Sequence, residues 1–493
     1  MVDLLVIDDV DAWQGIVLET FNGIYECDIA STYENAVAKI HGHNYKAICM
    51  NLKFFSLHNG RKLLTLLRDS FAEVPVILIS GYFAGSMSKL QDRYPNIREI
   101  ISKGSEEQHE ESMKEFVKDL LETTSCLISS IGGPAPLPVT GTKPGILSWL
   151  HLSDLHIGCK ERGQDWEALR DALLRDIEEH RKPASDQSDR LAGVVFEPDL
   201  IFVTGDIAFR AREEEYQKAE SLLKSIWDIT GLGKDHTFAV PGNHDVDREA
   251  VTNSKLYVLA YKEYAGQKTA GERKGWLEGI SELWQDNGFL GFIRDKFTRY
   301  MHFAVQCTAA PTGTYYVRSV PLSGANAEIV GLNSALMSWK DGEDTERGLW
   351  IGEPQFNEVK ETMSQDASLR IALVHHPREA LHEHDAVWTW DRVEKQCHIL
   401  LHGHLHEPGV VCKHDPEHVH LCVSGGSVHE DGIWRRQHYS YGRLNLETGE
   451  LDLYLRMTKP ETPDPIYVRD ILTYPEAGAS GCVSLNIYPQ PPQ

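Results

Sequence analysis

Five apolar runs of strand length between residues 146 and 406 each break off at acids, amides or histidines. ILSWLHLSDLHIG closes on Asp154 and His156, and PDLIFVTGDIA closes on Asp206. HTFAVPGNHDVD closes on Asn243, His244 and Asp245, and LRIALVHHPRE on His375 and His376. CHILLHGHLHEP closes on His402, His404 and His406. Runs this apolar and this short read as strands buried on both faces. In open parallel sheets, the carboxyl ends of the strands gather side chains on one rim. Any one of these blocks reads equally well as a turn. Five in succession require a fold that carries oxygen and nitrogen donors to one edge.

Those donors define a chemistry. Neutral imidazole with carboxylate suits Mn, Fe, Zn or similar divalent ions and needs no thiolate. The nine cysteines are scattered, odd in number and free of any Cys-x-x-Cys pair. A disulfide framework or a thiolate zinc knuckle is therefore not expected, and a reducing cytoplasm fits better.

The chain of 493 residues carries a formal net charge of −24. That charge repels polyanions at long range and disfavours a non-specific nucleic-acid binder. The start, MVDLLVIDDVD, is acidic and lacks the basic region and apolar core of a signal peptide. No segment reaches the ~18 apolar residues of a membrane span. A cytoplasmic protein without membrane contact is expected.

Residues 1–125 alternate short apolar runs (LLVID, YECDIA, YKAICMN, VPVILIS, IREIIS) with helical patterns. This predicts an α/β unit with a doubly wound, five-stranded parallel sheet. Residues 126–145, CLISSIGGPAPLPVTGTKPG, have the composition of a Pro/Gly linker. A larger α/β unit follows over 146–457. Within it, 247–310 is expected to be a helical, aromatic insertion that either roofs the site or packs on its side. Residues 458–493 are expected as a Pro-rich C-terminal tail of irregular or extended chain.

The first unit resembles a response-regulator receiver. By that resemblance Asp8 and Asp9 match the acid pair that holds a divalent ion, Ser80 the hydroxyl and Lys103 the lysine. The phosphoryl-acceptor position falls on Asn51, whose amide lacks the carboxylate nucleophile. The expectation is a pseudo-receiver that docks a protein partner or forms a homodimer without being phosphorylated.

The larger unit is similar to the calcineurin-like metallophosphoesterases, carrying D-x-H, GD, GNHD, HHP and GHxH in order. The resemblance implies a sandwich of two sheets flanked by helices. It assigns one metal to Asp154, His156, Asp206 and His406. It assigns a second to Asp206, Asn243, His375 and His404, with Asp206 bridging. It implies that His244 stands beside the scissile phosphate as leaving-group acid, oriented by Asp245. His402 and His376 are left outside the ligand set.

Reaction class is more legible than substrate. The expected activity is a phosphodiesterase on cyclic nucleotides or similar small diesters, in preference to nucleic acid. The runner-up is a metal-dependent nuclease, but nucleases of the break-repair type carry a further histidine soon after the GD block, and GDIAFRARE has none. A protein phosphatase and a non-catalytic scaffold complete the alternatives. The His244-Asp245 pair counts against the scaffold, because a structural metal site needs no leaving-group acid.

Overall fold

A computed structural model describes residues 4–80, 94 and 97–102, and 145–487. Excepted within these are 9–13, 16, 19–20, 22–24, 44, 52–56, 72–73, 160–165, 183–194, 268, 283, 285–293, 311–312, 323–324, 341–347, 365–366, 415–418, 430–435, 460–463 and 475–481. Backbone contacts divide the chain into two compact units, 1–135 and 136–493.

In the first unit, β1 (Leu4–Ile7), β2 (Cys27–Ala30), β3 (Ala47–Asn51), β4 (Val76–Ser80) and β5 (Ile97–Ser102) form one sheet in the order β2-β1-β3-β4-β5. All four pairings are parallel. This is the doubly wound order of flavodoxin-like folds. Period-two alternation explains why the strands are apolar throughout. Leu5, Ile7, Ile48, Met50 and Leu78 meet Ile40, Leu63 and Leu67 of α1 (Tyr33–Gly42) and α2 (Leu57–Ser70). Leu4, Val6, Cys49, Ile77 and Ile79 face the other way, onto Val17 and Phe21. Thr32 starts α1 by accepting the Asn35 amide at 3.2 Å.

The second unit is a sandwich of two mixed sheets. One contains β6 (Ile146–Leu152), β7 (Leu200–Thr204) and β8 (Thr237–Val240), which pair in parallel. The other contains β9 (Tyr316–Leu322), β10 (Ala325–Gly331), β11 (Leu369–Leu373), β12 (Ile399–His402), β13 (Pro408–His414) and β14 (Val419–Gly425), in the order β13-β14-β12-β11-β10-β9. β15 (His438–Asn445) and β16 (Glu450–Thr458) extend the first sheet antiparallel beyond β6. Within 458–493, β17 (Tyr467–Arg469) and β18 (Cys482–Asn486) are hydrogen-bonded into this sheet, both pairing with β16.

The core between the sheets joins Trp149, Phe202 and Phe238 to Ile329, Ile371, Leu401 and Val423. Neighbouring residues of the same strands, such as Leu150, Ile201 and Val203, face outward onto α3 (Trp166–His180) and α4 (Glu213–Thr230). A buried ion pair ties α3 to the sheet: Arg456 Nη2 meets Asp176 Oδ1 at 2.6 Å. Such a pair is costly to break, ~3–5 kcal/mol, although its net contribution to stability is small.

The described part of 247–310 contains α5 (Arg248–Asn253), α6 (Lys255–Gly266), α7 (Ala270–Glu282) and α8 (Thr298–Cys307). Tyr261, Tyr264, Leu277, Trp284 and Phe297 pack on Ala335, Leu336, Met337 and Trp350. Lys296 is buried here and donates to Tyr261 Oη and to the carbonyls of Leu336 and Ser338 at 2.6–2.7 Å. α9 (Glu353–Thr362) covers the outer face of the second sheet, with Phe356 and Val359 against Val330 and Ala372.

Candidate metal centre

Every donor block follows a strand within a parallel group. Asp154 and His156 follow β6, Asp206 follows β7, and Asn243 and His244 follow β8. His375 follows β11 and His404 and His406 follow β12, parallel neighbours in the second sheet. The same ends of the two sheets thus supply the site.

The backbone is bent to present these donors. Among the described residues, six that are not glycine have positive φ: Asp154 (51°), His156 (41°), Asp206 (50°), Ala211 (53°), His404 (70°) and His406 (60°). Five of the six belong to the predicted ligand set. Left-handed backbone at a side-chain-bearing residue costs on the order of 1–3 kcal/mol and persists where the surroundings over-determine it. Here the surroundings are hydrogen bonds across the strand ends. The amides of Asp154 and His156 reach the carbonyls of Gly205 and Asp206 at 3.1 and 2.9 Å. The His404 amide donates to Asp154 Oδ2 at 3.1 Å.

Two glycines make the approach close enough. Gly403 has Ser153 Oγ and Asp154 Oδ2 within 2.0 and 2.6 Å of where a Cβ would stand. Gly205 has φ +85°, and a Cβ there would lie 2.5 Å from His375 Nδ1.

Four groups of ligand atoms gather within 4.8 Å: Asp154/His156/His406, His156/Asp206/His244, Asp154/Asp206/His375, and His375/His376/His404. Asp206 Oδ2 lies 3.1 Å from His375 Nε2 and 3.9 Å from His156 Nε2. His406 Nε2 lies 3.3 Å from Asp154 Oδ1 and 3.3 Å from His156 Nε2. Of the predicted ligands, Asp154, His156, Asp206, His375, His404 and His406 are brought together. Asn243 joins them through His376, whose Nε2 is 2.9 Å from Asn243 Oδ1.

The donor set fits a divalent cation. His375 Nδ1 donates to the Thr204 carbonyl at 2.7 Å. In the neutral ring, that leaves the Nε2 lone pair aimed at Asp206 Oδ2, acceptor against acceptor. A second proton or a metal ion relieves that clash. Without an ion the second proton does so. Burial lowers the His375 pKa, but the Asp206 charge and hydrogen bond override it and push the ring up to about 9. Burial also raises the Asp206 carboxyl, yet the His375 and His244 charges hold it well below the usual range. His156 is pushed down to about 3, chiefly by burial, and burial first also pushes His376 well below its ordinary value. Such rings are neutral at pH 7, the state a metal ligand needs.

His244 stands at the edge of this cluster. Its amide donates to Asp206 Oδ1 at 2.8 Å, and its ring centroid is 4.7 Å from that of His156. The expected orienting role of Asp245 is corrected by the geometry. The Asp245 carboxylate accepts from the amides of Gly242, Ala208 and Ile207 at 2.9–3.2 Å and from Tyr216 Oη at 3.0 Å. Burial, then the Asp206 charge, raises its pKa to about 6 against those backbone donors. The His244 ring is held instead by the Phe209 carbonyl, 2.9 Å from Nδ1, and by the Phe209 ring, stacked at 5.1 Å and 20°. An amide N–H outcompetes a neighbouring imidazole when several amides converge on one carboxylate, and sequence adjacency gives no warning of it.

His376 was not in the predicted ligand set, yet it is fully buried within the cluster. Its backbone amide donates to Ser334 Oγ at 3.1 Å, so the Ser334 hydroxyl proton is directed to His376 Nδ1 at 2.8 Å. Nε2–H then faces Asn243 Oδ1 and fixes which way the amide points. The doubled histidine of HHP was the available signal. His402 is buried outside these groups, with Nδ1 2.9 Å from the Gly403 carbonyl.

In the first unit, Asp8 follows β1 and Asn51 ends β3, and Asn51 Nδ2 donates to Asp8 Oδ1 at 3.3 Å. Ser80 ends β4. Asp9, Lys103 and the Ser80 side chain lie outside the described residues.

The family profile described as calcineurin-like phosphoesterase matches residues 147–408. Among solved structures, the chain is similar to the receiver domain of Francisella response regulator 1452. The identity is 20%, covering 26% of this chain and 98% of that one, with a TM-score of 0.22. The response regulator domain of Thermotoga maritima CheB gives 19%, 26%, 96% and 0.23 in the same terms. GAP50, the anchor in the inner membrane complex of Plasmodium, gives 12%, 70%, 90% and 0.35. No curated protein sequence matches the chain.

Proposed function

The chain belongs to the calcineurin-like phosphoesterases, and from that premise we propose that it is a phosphodiesterase on cyclic nucleotides or similarly small diesters. Two divalent ions of the Mn, Fe or Zn kind would be held by Asp154, His156, Asp206, Asn243, His375, His404 and His406. The observation that carries this reading is the shared carboxylate: Asp206 Oδ2 faces His375 of one donor group and His156 of the other. Two such ions, when bound, would lower the pKa of a bound water toward ~7 and supply the charge that holds a phosphoryl group.

The protein's own part is orientation and proton transfer. Asp206 ties the His244 backbone, and the Phe209 carbonyl occupies Nδ1. Nε2 is therefore the nitrogen left to protonate a leaving alkoxide, a role worth ~10²–10⁴ in rate. Small diesters are favoured over nucleic acid by the net charge of −24 and by the absence of a histidine in GDIAFRARE. For the first unit, the reading is a pseudo-receiver acting through protein contact, supported by the amide that Asn51 offers to Asp8. Among the described residues no helix is long and apolar enough to cross a membrane.

A panel assay with added Mn²⁺ tests the reading. It compares cyclic mononucleotides, cyclic dinucleotides, bis(p-nitrophenyl) phosphate, single-stranded DNA and phosphopeptides. Turnover of small diesters is expected, with His244→Ala losing ~10²–10⁴ in kcat on the cyclic nucleotides, whose alkoxide leaving group needs an acid, while elemental analysis finds its metals retained. Preference for DNA would make the protein a nuclease. Undiminished turnover of cyclic nucleotides by His244→Ala would remove the proposed acid.

A further inference from the structure

The loop after Asp206 is tethered at nearly every backbone amide. Ile207 and Ala208 donate to the Asp245 carboxylate, and Phe209 donates to the Ile157 carbonyl at 3.0 Å. Arg210 and Arg212 both donate to Glu215 Oε2, at 2.8 and 3.1 Å. Ala211 sits at φ 53°, and its carbonyl accepts from Arg299 Nη1 at 3.1 Å. Glu215 lies in the first turn of α4, and only 4% of its surface is exposed. It also packs so tightly under the Asp154/His156 loop that a Cβ on Gly158 would meet its Oε1 at 2.3 Å.

A capping glutamate ordinarily satisfies its own helix start. Glu215 does that at Arg212 and then reaches two residues further, to Arg210. Through the Arg210 amide it fixes the Phe209–Arg210 peptide, whose carbonyl touches the site. Phe209 gives its carbonyl to His244 Nδ1 and its ring face to the same imidazole.

We propose that Glu215 is a positioning residue for leaving-group protonation: by holding the Arg210 and Arg212 amides it fixes Phe209, which aims His244 Nε2 at the departing oxygen. The inference rests on the proposed phosphodiesterase reading. In the step concerned, the ester P–O bond breaks and its electron pair goes to the leaving oxygen. That oxygen takes the proton from His244 Nε2. A water oxygen forms the new P–O bond and gives up a proton, which restores the imidazolium. Nδ1–H stays on the Phe209 carbonyl throughout.

Such a role depends on the leaving group. p-Nitrophenolate departs without an acid, whereas a ribose alkoxide needs one. Glu215→Ala should therefore lower kcat on a cyclic nucleotide, or on another alkyl diester that the wild type hydrolyses, by ~10²-fold. Its kcat on bis(p-nitrophenyl) phosphate and its bound metal should stay near wild type. Glu215→Gln, which keeps an oxygen for the two amides, should recover most of the loss. Should Glu215→Ala fail to fold, Phe209→Leu removes the stacking face and should give a smaller loss with the same leaving-group dependence. An equal fall on both esters, or no fall on the alkyl ester, overturns the proposal. Nitrogen NMR of the histidines supplies a readout free of turnover. The His244 Nδ1–H resonance should move in Glu215→Ala and return in Glu215→Gln, and an unmoved resonance overturns the proposal. If the wild type hydrolyses no diester at all, the phosphodiesterase reading fails, and the NMR result alone decides whether Glu215 positions the ring.

Discussion

Two carboxylate pockets in this chain are built on the same plan and have opposite contents. Each lies beyond the carboxyl ends of parallel strands, one after β1 and β3 and the other after β6 and β7. In the first, Asp8 faces the amide of Asn51, a neutral donor that satisfies the carboxylate at 3.3 Å. In the second, Asp154 faces His406, and Asp206 faces His375, whose Nδ1 is committed to the Thr204 carbonyl. There a neutral His375 ring would face Asp206 acceptor to acceptor unless a proton or a cation intervenes, and five predicted ligand positions hold left-handed backbone. Sheet topology supplies the place, and the identity of the partner residue decides whether it needs a cation.

The comparison is broken most severely at Asp206. Asp206→Asn gives the second pocket an amide, as Asn51 does the first. It should cost more than the ~10–100-fold in metal affinity that changes to outer-shell partners bring, because one oxygen faces both donor groups. Metal content after dialysis, read by elemental analysis, should drop at both positions. Retention of two equivalents would show that Asp206 is no bridge.

The next largest effect belongs to the histidines of the metal-free protein. Burial, first among the causes, pushes His151 and His156 down to about 3 and His402 to about 4. Their unfolded values are the ordinary 6.5. Between those limits the unfolded chain binds protons that the folded one excludes, so stability falls as pH falls from 6.5 toward 4. Each such ring adds a slope of up to ~1.4 kcal/mol per pH unit. His375 runs the other way. Its raised value of about 9 gives stability that is complete below 6.5 and lost as pH rises through 9. The chelated protein should therefore melt highest near neutral pH. Metal should abolish the alkaline loss, because Nε2 then holds an ion in place of a proton. An alkaline limb that persists with metal would mean that His375 is not a ligand.

Much of the second pocket was legible in the sequence. Asp154, His156, Asp206, His375, His404 and His406 each follow an apolar run, and parallel strands bring run ends together. What was illegible is the work done by backbone groups. The Phe209 carbonyl holds His244, and no residue type announces a carbonyl. Asp245 looked like its partner by adjacency, yet three amides and a tyrosine take its oxygens. His376 was undecidable in HHP, since two adjacent histidines point different ways and only packing tells which faces the ligands. The five parallel strands of the first unit followed from its alternating pattern, though their order did not. The pairing of β17 and β18 did not, because proline-rich composition hid two short edge strands.

The smallest effect on hydrolysis, and the sharpest test of the contrast, comes from making the first pocket resemble the second. Asn51→Asp replaces the amide donor with a carboxylate against Asp8. Two carboxylates at that spacing repel unless a cation enters. The variant should be less stable than wild type without Mg²⁺ and should regain stability as Mg²⁺ is added, by the linkage of ligand to folded state. With a carboxylate at the acceptor position, and Asp9, Ser80 and Lys103 at the other family positions, it should take one phosphoryl group from acetyl phosphate. Intact-mass spectrometry would register that gain, and the wild type should show none. Diester turnover should be the same in both proteins when neither is phosphorylated, since the change touches no donor of the second pocket. A wild-type chain that accepts phosphoryl, or a variant indifferent to Mg²⁺, would mean that Asn51 is not what separates the two pockets.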